Sequence, residues 1–280
     1  MKLRSIISGL AVATVALLPT LALAGTVAPG FATTTFPGND DGATGAINLG
    51  FSANFFGNTY TQTYVSNNGY ITFNSPQGTF TPTGLGAGYS GQPIIAAFFA
   101  DVDTRPAASG LTSYGTGTYA GHGAFGVTWP AVGYFSGGTD KLNTFQIILT
   151  DRSDVGAGDF DIYFNYDQIQ WEAGSASGGT NGLGGPSTAA AGFNAGTGVP
   201  GTYFQLLGSL TAGAFLDGGP DSLVAGTNDN TPGQFLFQVR GGSVVIEPPP
   251  EGVPEPITLT VFGAGLVGAA ALRRRIKKSA

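Results

Sequence analysis

From residue 47 to residue 240 the chain is a succession of short β-prone runs cut apart by glycines, and no helical 3.6-residue periodicity is sustained between them. Residues 47–55, 94–100, 124–129, 144–151, 160–165, 192–194, 203–206 and 235–240 read as strands. Residues 64–73, Tyr-Val-Ser-Asn-Asn-Gly-Tyr-Ile-Thr-Phe, place an Asn-Gly pair between two such runs. That pair accepts the positive φ angles of a type I′ turn and predicts a hairpin closed at Asn68-Gly69. Residues 94–100 are apolar almost throughout, as in a strand covered on both faces, whereas residues 160–164 alternate less cleanly and predict one wetter face. The pattern specifies an all-β fold, mainly an antiparallel sandwich.

Forty-seven glycines and a charged fraction of only 10% would suit a disordered chain, but 20 Phe and 10 Tyr supply enough apolar mass for a core. The absence of cysteine excludes a thiol nucleophile and disulfide staples, so stability must come from packing and bound ions. Seven of the 11 basic residues lie near the two ends, leaving Arg105, Lys141, Arg152 and Arg240 against 17 acids. A nucleic-acid partner is disfavoured, since phosphate contacts need a basic face. Divalent cations suit the balance better.

At the N-terminus, Lys2 and Arg4 precede an apolar stretch, and Ala22-Leu23-Ala24 supplies the small-x-small pattern of a signal peptide cleaved between Ala24 and Gly25. At the other end, Val253-Pro254-Glu255-Pro256 precedes an apolar run over 257–272 and the basic tail Arg273, Arg274, Arg275, Lys277 and Lys278. Sixteen helical residues span roughly 24 Å, short of the ~30 Å hydrocarbon core, which fits a temporary anchor with its basic end in the cytoplasm. Gly263, Gly265 and Gly268 match G-x-G-x-x-G, but no acid follows in the remaining residues, so they read as small residues of a membrane helix. The implied organisation is signal peptide 1–24, β domain 25–240, Pro/Glu linker 241–256, transmembrane segment 257–272 and cytoplasmic tail 273–280.

The C-terminal arrangement resembles the PEP-CTERM sorting signal of Gram-negative bacteria. That resemblance implies processing by an exosortase, after signal peptidase has acted, on a precursor held in the inner membrane. A second resemblance spans about 180 residues. Phe55-Phe56-Gly57 with Tyr60, the stretch 65–73, the stretch 93–105 through Asp101, Asp103 and Arg105, then 143–149, 165–171 and 191–194 are similar in order and spacing to the NIDO domain, the extracellular module named after nidogen. Glycine-rich insertions at 173–188 and 207–231 depart from it. The resemblance implies an extracellular adhesion or matrix context and no catalytic residues.

Asp101 and Asp103 carry carboxylates at i and i+2, which share a face if the strand continues, making them candidate Ca²⁺ ligands with Arg105 as an alternative ion-pair partner. Residues 39–42 (Asn-Asp-Asp-Gly) and 154–161 also have the look of calcium loops, without EF-hand spacing. Any Ser-His-Asp chemistry would rest on His122, the single histidine, set between glycines in what reads as a loop. A converging carboxylate pair would make a glycoside hydrolase; Trp129 and Trp171, which end strand-like runs, are expected in the core, the alternative being that they stack on sugars in a carbohydrate-binding module. The leading expectation is a non-enzymatic, exported surface or matrix protein with no cofactor beyond candidate Ca²⁺. Exopolysaccharide or matrix proteins are its expected partners.

Overall fold

The computed structural model describes residues 26–245. Strands β1 (Thr34–Thr35), β2 (Ile47–Phe55), β3 (Asn58–Val65), β4 (Tyr70–Thr72), β5 (Ile94–Phe99), β6 (Val102–Asp103) and β7 (Ser113–Tyr119) lead into the two longest, β8 (His122–Tyr134) and β9 (Gly138–Asp151). There follow β10 (Phe160–Ile169), β11 (Ala190–Asn194), β12 (Tyr203–Gln205), β13 (Gln234–Arg240) and β14 (Ser243–Val245). One eight-stranded sheet runs β1-β7-β8-β9-β10-β13-β14, with β6 also on β8, and a six-stranded sheet runs β12-β11-β5-β4-β3-β2. All named strand pairs are antiparallel, and the sheets form the expected sandwich.

Aromatic side chains fill the space between the layers. Phe98 of β5 meets Phe145 of β9 at 5.3 Å and Trp171 edge-on at 5.5 Å. Phe55 of β2 meets Phe160 of β10 at 6.3 Å. These offset and T-shaped contacts add about 0.5–1.5 kcal/mol each beyond the area they bury. β5 is buried at every residue, as its apolar sequence predicts.

The wetter face expected for residues 160–164 is covered instead: Phe160 through Tyr166 are all buried. The N-terminal segment lies over the outer face of the large sheet, where Phe31 packs with Ala124, Ile148 and Tyr163. Gln146 clamps that segment by accepting from Ala28 N and donating to Ala28 O, both at 2.9 Å. The slot for Phe31 exists because Gly126 has no side chain; a Cβ there would lie 2.3 Å from the Phe31 ring.

β3 and β4 pair as predicted, Tyr64 with Thr72 and Val65 with Ile71, but the turn differs. It spans residues 66–69, and of the Asn-Gly pair only Gly69 takes a positive φ, +81°. Asn67 and Asn68 are wholly buried, because their amides bond inward, whereas a two-residue turn would hold the Asn-Gly pair at a solvent-exposed tip. Two-residue turns with both φ values positive occur instead at Phe56-Gly57, at Gly241-Gly242 and at Ala120-Gly121, the last between β7 and β8. His122 is accordingly the first residue of β8 rather than a loop residue.

The large sheet also continues past Arg240: Gly241-Gly242 turns the chain, and β14 pairs with β13 in the first residues of the segment read as linker. The signal-peptide residues Ala22, Ala24 and Gly25, the motif Val253, Pro254, Glu255 and Pro256, the apolar segment 257–272 and Arg273, Arg274 and Arg275 lie outside the described residues. Among the described residues no helix is long and apolar enough to cross a membrane.

Gly69 sits so close to β5 that a Cβ would fall 1.8 Å from Phe98 O, whereas Gly57, at a similar φ of +86°, faces open space. Gly57→Ala should therefore cost only the left-handed backbone penalty, about 1 kcal/mol, and Gly69→Ala about 3 kcal/mol or more. Urea titration of both variants checks the difference.

Candidate functional site

The turn at residues 66–69 organises a cluster of acids contributed by two distant parts of the chain. Asn67 Nδ2 donates to Val102 O at 2.6 Å and also reaches the carbonyls of Asn39 and Asp40. Its Oδ1 accepts from Thr104 Oγ1 at 3.1 Å, and its backbone carbonyl accepts from Trp129 Nε1 at 2.9 Å. Asn68 Oδ1 accepts from Val102 N at 2.9 Å while its Nδ2 donates to Asp41 Oδ1 at 3.0 Å. The loop at 39–42 is thereby held against the turn that follows β5.

Asp40, Asp41 and Asp101 each bring a carboxylate oxygen to within 4.8 Å of the other two. Asp101 is 2% exposed, and its Oδ2 has no hydrogen-bond partner among the described residues; the same is true of Asp40 Oδ1. Asp101 Oδ2 presses on Gly174, where a Cβ would lie 2.3 Å from it. At an effective dielectric of about 20, two carboxylates at the 4.8 Å limit repel by roughly 3.5 kcal/mol, so the fully ionised cluster needs a cation.

The described residues supply little positive charge here. Arg105 approaches Asp40 at 3.1 Å but is held by Asp103 through Nε at 2.8 Å and Nη2 at 2.7 Å. Arg152 and Arg240 both lie on the buried Asp161, at 2.9 and 2.6 Å, and Lys141 pairs with Asp140.

The sequence candidates sort differently from expectation. Asp101 and Asp103 do not share a site, because Val102 N donates to Ala100 O at 3.0 Å and the chain turns at Asp101 instead of continuing as a strand. Asp103 goes to Arg105 and to Gly137 N, while Asp101 joins the 39–42 loop, which the sequence treats as a separate candidate. The 154–161 loop is neutralised from within: Asp154 and Asp161 face Arg152, and Asp159 accepts from Gly241 N at 2.8 Å. His122 Nδ1 lies 3.7 Å from Asp154, beyond hydrogen-bond reach, and bonds no hydroxyl among the described residues. Trp129 and Trp171 are wholly buried, with their indole N–H groups donating to Asn67 O and Val132 O, so neither can stack on a sugar.

Sequence reasoning missed Glu172. Buried at 2% exposure, it accepts from Gly184 N at 2.8 Å and Gly213 N at 2.7 Å, one from each glycine-rich insertion. Two cavities of about 330 and 270 Å³ lie elsewhere, lined by residues such as Leu206, Leu223 and Phe235, and by Gln77, Tyr89 and Phe99. Neither is lined by a member of the acidic cluster.

The sequence of this domain matches a known family. The model of the nidogen-like domain matches residues 61–241. The chain belongs to the nidogen-like domain family. A PEP-CTERM protein-sorting motif matches residues 252–275. The nidogen-like domain brings with it similarity to alpha-tectorin of Mus musculus, 35% identical over 233 residues that cover 75% of this chain and 10% of that protein. Alpha-tectorin of Gallus gallus is 34% identical over 236 residues, with the same coverage. Nidogen of Drosophila melanogaster is 31% identical over 224 residues, 71% of this chain and 15% of that protein. The chain thus spans about a tenth of the length of the alpha-tectorins it matches. No solved structure matches it.

Within the nidogen-like domain, burial together with the charges of Asp40, Asp41 and Asp103 pushes the Asp101 carboxyl up to about 7 against the opposing pull of Arg105. Burial and Asp41 push Asp40 up to about 6. A raised carboxyl favours the folded state when protonated, so this contribution is complete below pH about 4 and lost as pH rises through about 6 to 7. Asp217, also raised by burial, acts in the same sense, whereas the lowered Asp103, Asp140 and Asp154 matter only below pH about 4. In chelator, the melting temperature should fall by a few degrees between pH about 5 and 7.5. Asp101→Asn should flatten that slope, as thermal scans at fixed ionic strength would show.

Proposed function

We propose that this chain is an exported structural or adhesive protein of the cell surface or extracellular matrix, in which a non-enzymatic nidogen-like domain is delivered by a C-terminal sorting signal. The reading rests on one juxtaposition: an extracellular-type β domain followed within about ten residues by a PEP-CTERM motif. That motif implies processing by an exosortase, and both parts imply export.

In the proposed sequence of events, signal peptidase cuts after Ala24, the apolar segment 257–272 holds the precursor in the inner membrane of a Gram-negative cell, and the exosortase acts at residues 253–256. The released or re-attached product then takes part in cell-matrix adhesion or a biofilm, with exopolysaccharide or matrix proteins as partners. The burial of aromatic mass supports a scaffold, because Trp129 and Trp171, which would serve a sugar platform, are engaged in holding the fold together.

Intact mass of the protein recovered from cells with and without the sorting protease tests this. The expected mature form begins at Gly25 and lacks the basic tail only when the protease is present. A C-terminus at Ala280 in both strains would refute the processing step.

A further inference from the structure

We propose that Asp40, Asp41 and Asp101 bind one calcium ion that ties the 39–42 loop to the turn after β5. Three carboxylates converge within 4.8 Å of one another. Convergence alone would not make a site, since acids often gather without an ion. The deciding observation is that Asp101, 2% exposed, contributes a carboxylate oxygen to the cluster while its side chain accepts no hydrogen bond among the described residues, its Oδ2 lying buried against Gly174, and Asp40 Oδ1 is unpartnered as well. Buried carboxylate oxygens are ordinarily bonded, because leaving one unmade forfeits its full desolvation cost. Every other buried acid among the described residues has a donor or a cation on it: Asp103 has Arg105 and Gly137 N, Asp159 has Gly241 N, Asp161 is ion-paired with two arginines, Arg240 covering its Oδ1, and Glu172 has two glycine N–H groups.

The donor set selects the ion. All three donors are oxygens, the single histidine lies on β8 against Asp154, and the chain has no cysteine, so zinc and softer metals lack their preferred ligands. Magnesium demands a tight octahedron and keeps most of its waters, whereas calcium accepts irregular arrays of carboxylates and waters. Two donors come from a loop and one from a buried turn, with Asp41 exposed, so water can complete the sphere on the outer side. Such part-loop sites belong in the roughly 10⁻⁴–10⁻³ M affinity class of extracellular modules.

The full chain, freed of metal with chelator, is titrated with CaCl₂ and in parallel with MgCl₂ by calorimetry, and its melting temperature is followed. Calcium at about ten times its Kd should raise the melting temperature by roughly 3–6 °C, with magnesium much less effective. Asp101→Asn should melt higher than the parent without calcium, since a repelling charge is gone, and lose the calcium response. This crossing of signs is not produced by a carboxylate that merely packs. Asp41→Asn keeps an amide oxygen to accept from Asn68 Nδ2 and should therefore fold, yet weaken calcium by about tenfold or more, and it decides the matter if Asp101→Asn fails to fold. No heat and no melting shift for the parent chain up to about 10 mM calcium, or an undiminished response in the folded variants, would overturn the proposal.

Discussion

The side chain of Asn67 is the interaction on which this architecture turns. Its amide is wholly buried, yet its NH₂ reaches carbonyls of Val102, Asn39 and Asp40 and its oxygen accepts from Thr104. A hydrocarbon of the same volume would forfeit all of these bonds, at about 1–3 kcal/mol for each group left unpaired, although Asn39 O would keep Thr104 N and Oγ1 as donors. The same residue accepts the indole proton of Trp129 on its backbone oxygen, so the two sheets and the 39–42 loop all meet at one asparagine. The three carboxylates converge because this amide fixes the loop and the turn that carry them.

A chain with 47 glycines would seem poorly equipped for a precise interior, since each residue without a side chain adds backbone entropy and subtracts apolar area. Here the missing side chains are used as space. Phe31 occupies the slot over Gly126, Asp101 presses on Gly174, and Phe98 O approaches Gly69. The two glycine-rich insertions, which look in sequence like loose departures from the family pattern, are fixed from inside by the two oxygens of Glu172.

The strands that carry the core were legible because their signal is local: apolar, β-branched and aromatic residues in short runs mark β2, β5 and β10. β7, with the sequence SYGTGTY, was not, since its glycines lie against the N-terminal segment and its place depends on pairing with β8. The acid cluster was half legible. Asp101 and the Asp40-Asp41 pair each stood out, but their meeting across some sixty residues is set by Asn67 and Asn68, whose spacing reads as a turn signal. The choice of Asp103 over Asp40 followed from assuming a continuous strand, and the tight turn at Asp101 breaks that assumption. Glu172 carried no local signal, because both of its partners are backbone N–H groups in distant loops.

The described chain begins and ends on opposite edges of one sheet, β1 at one side and β14 at the other. A protein held to a surface through its C-terminal end therefore takes any mechanical load at β14, where three residue pairs join it to β13. That hairpin does not stand alone: Gly242 O accepts from Phe56 N at 2.7 Å and Val244 packs against the core, so the load passes to the six-stranded sheet as well.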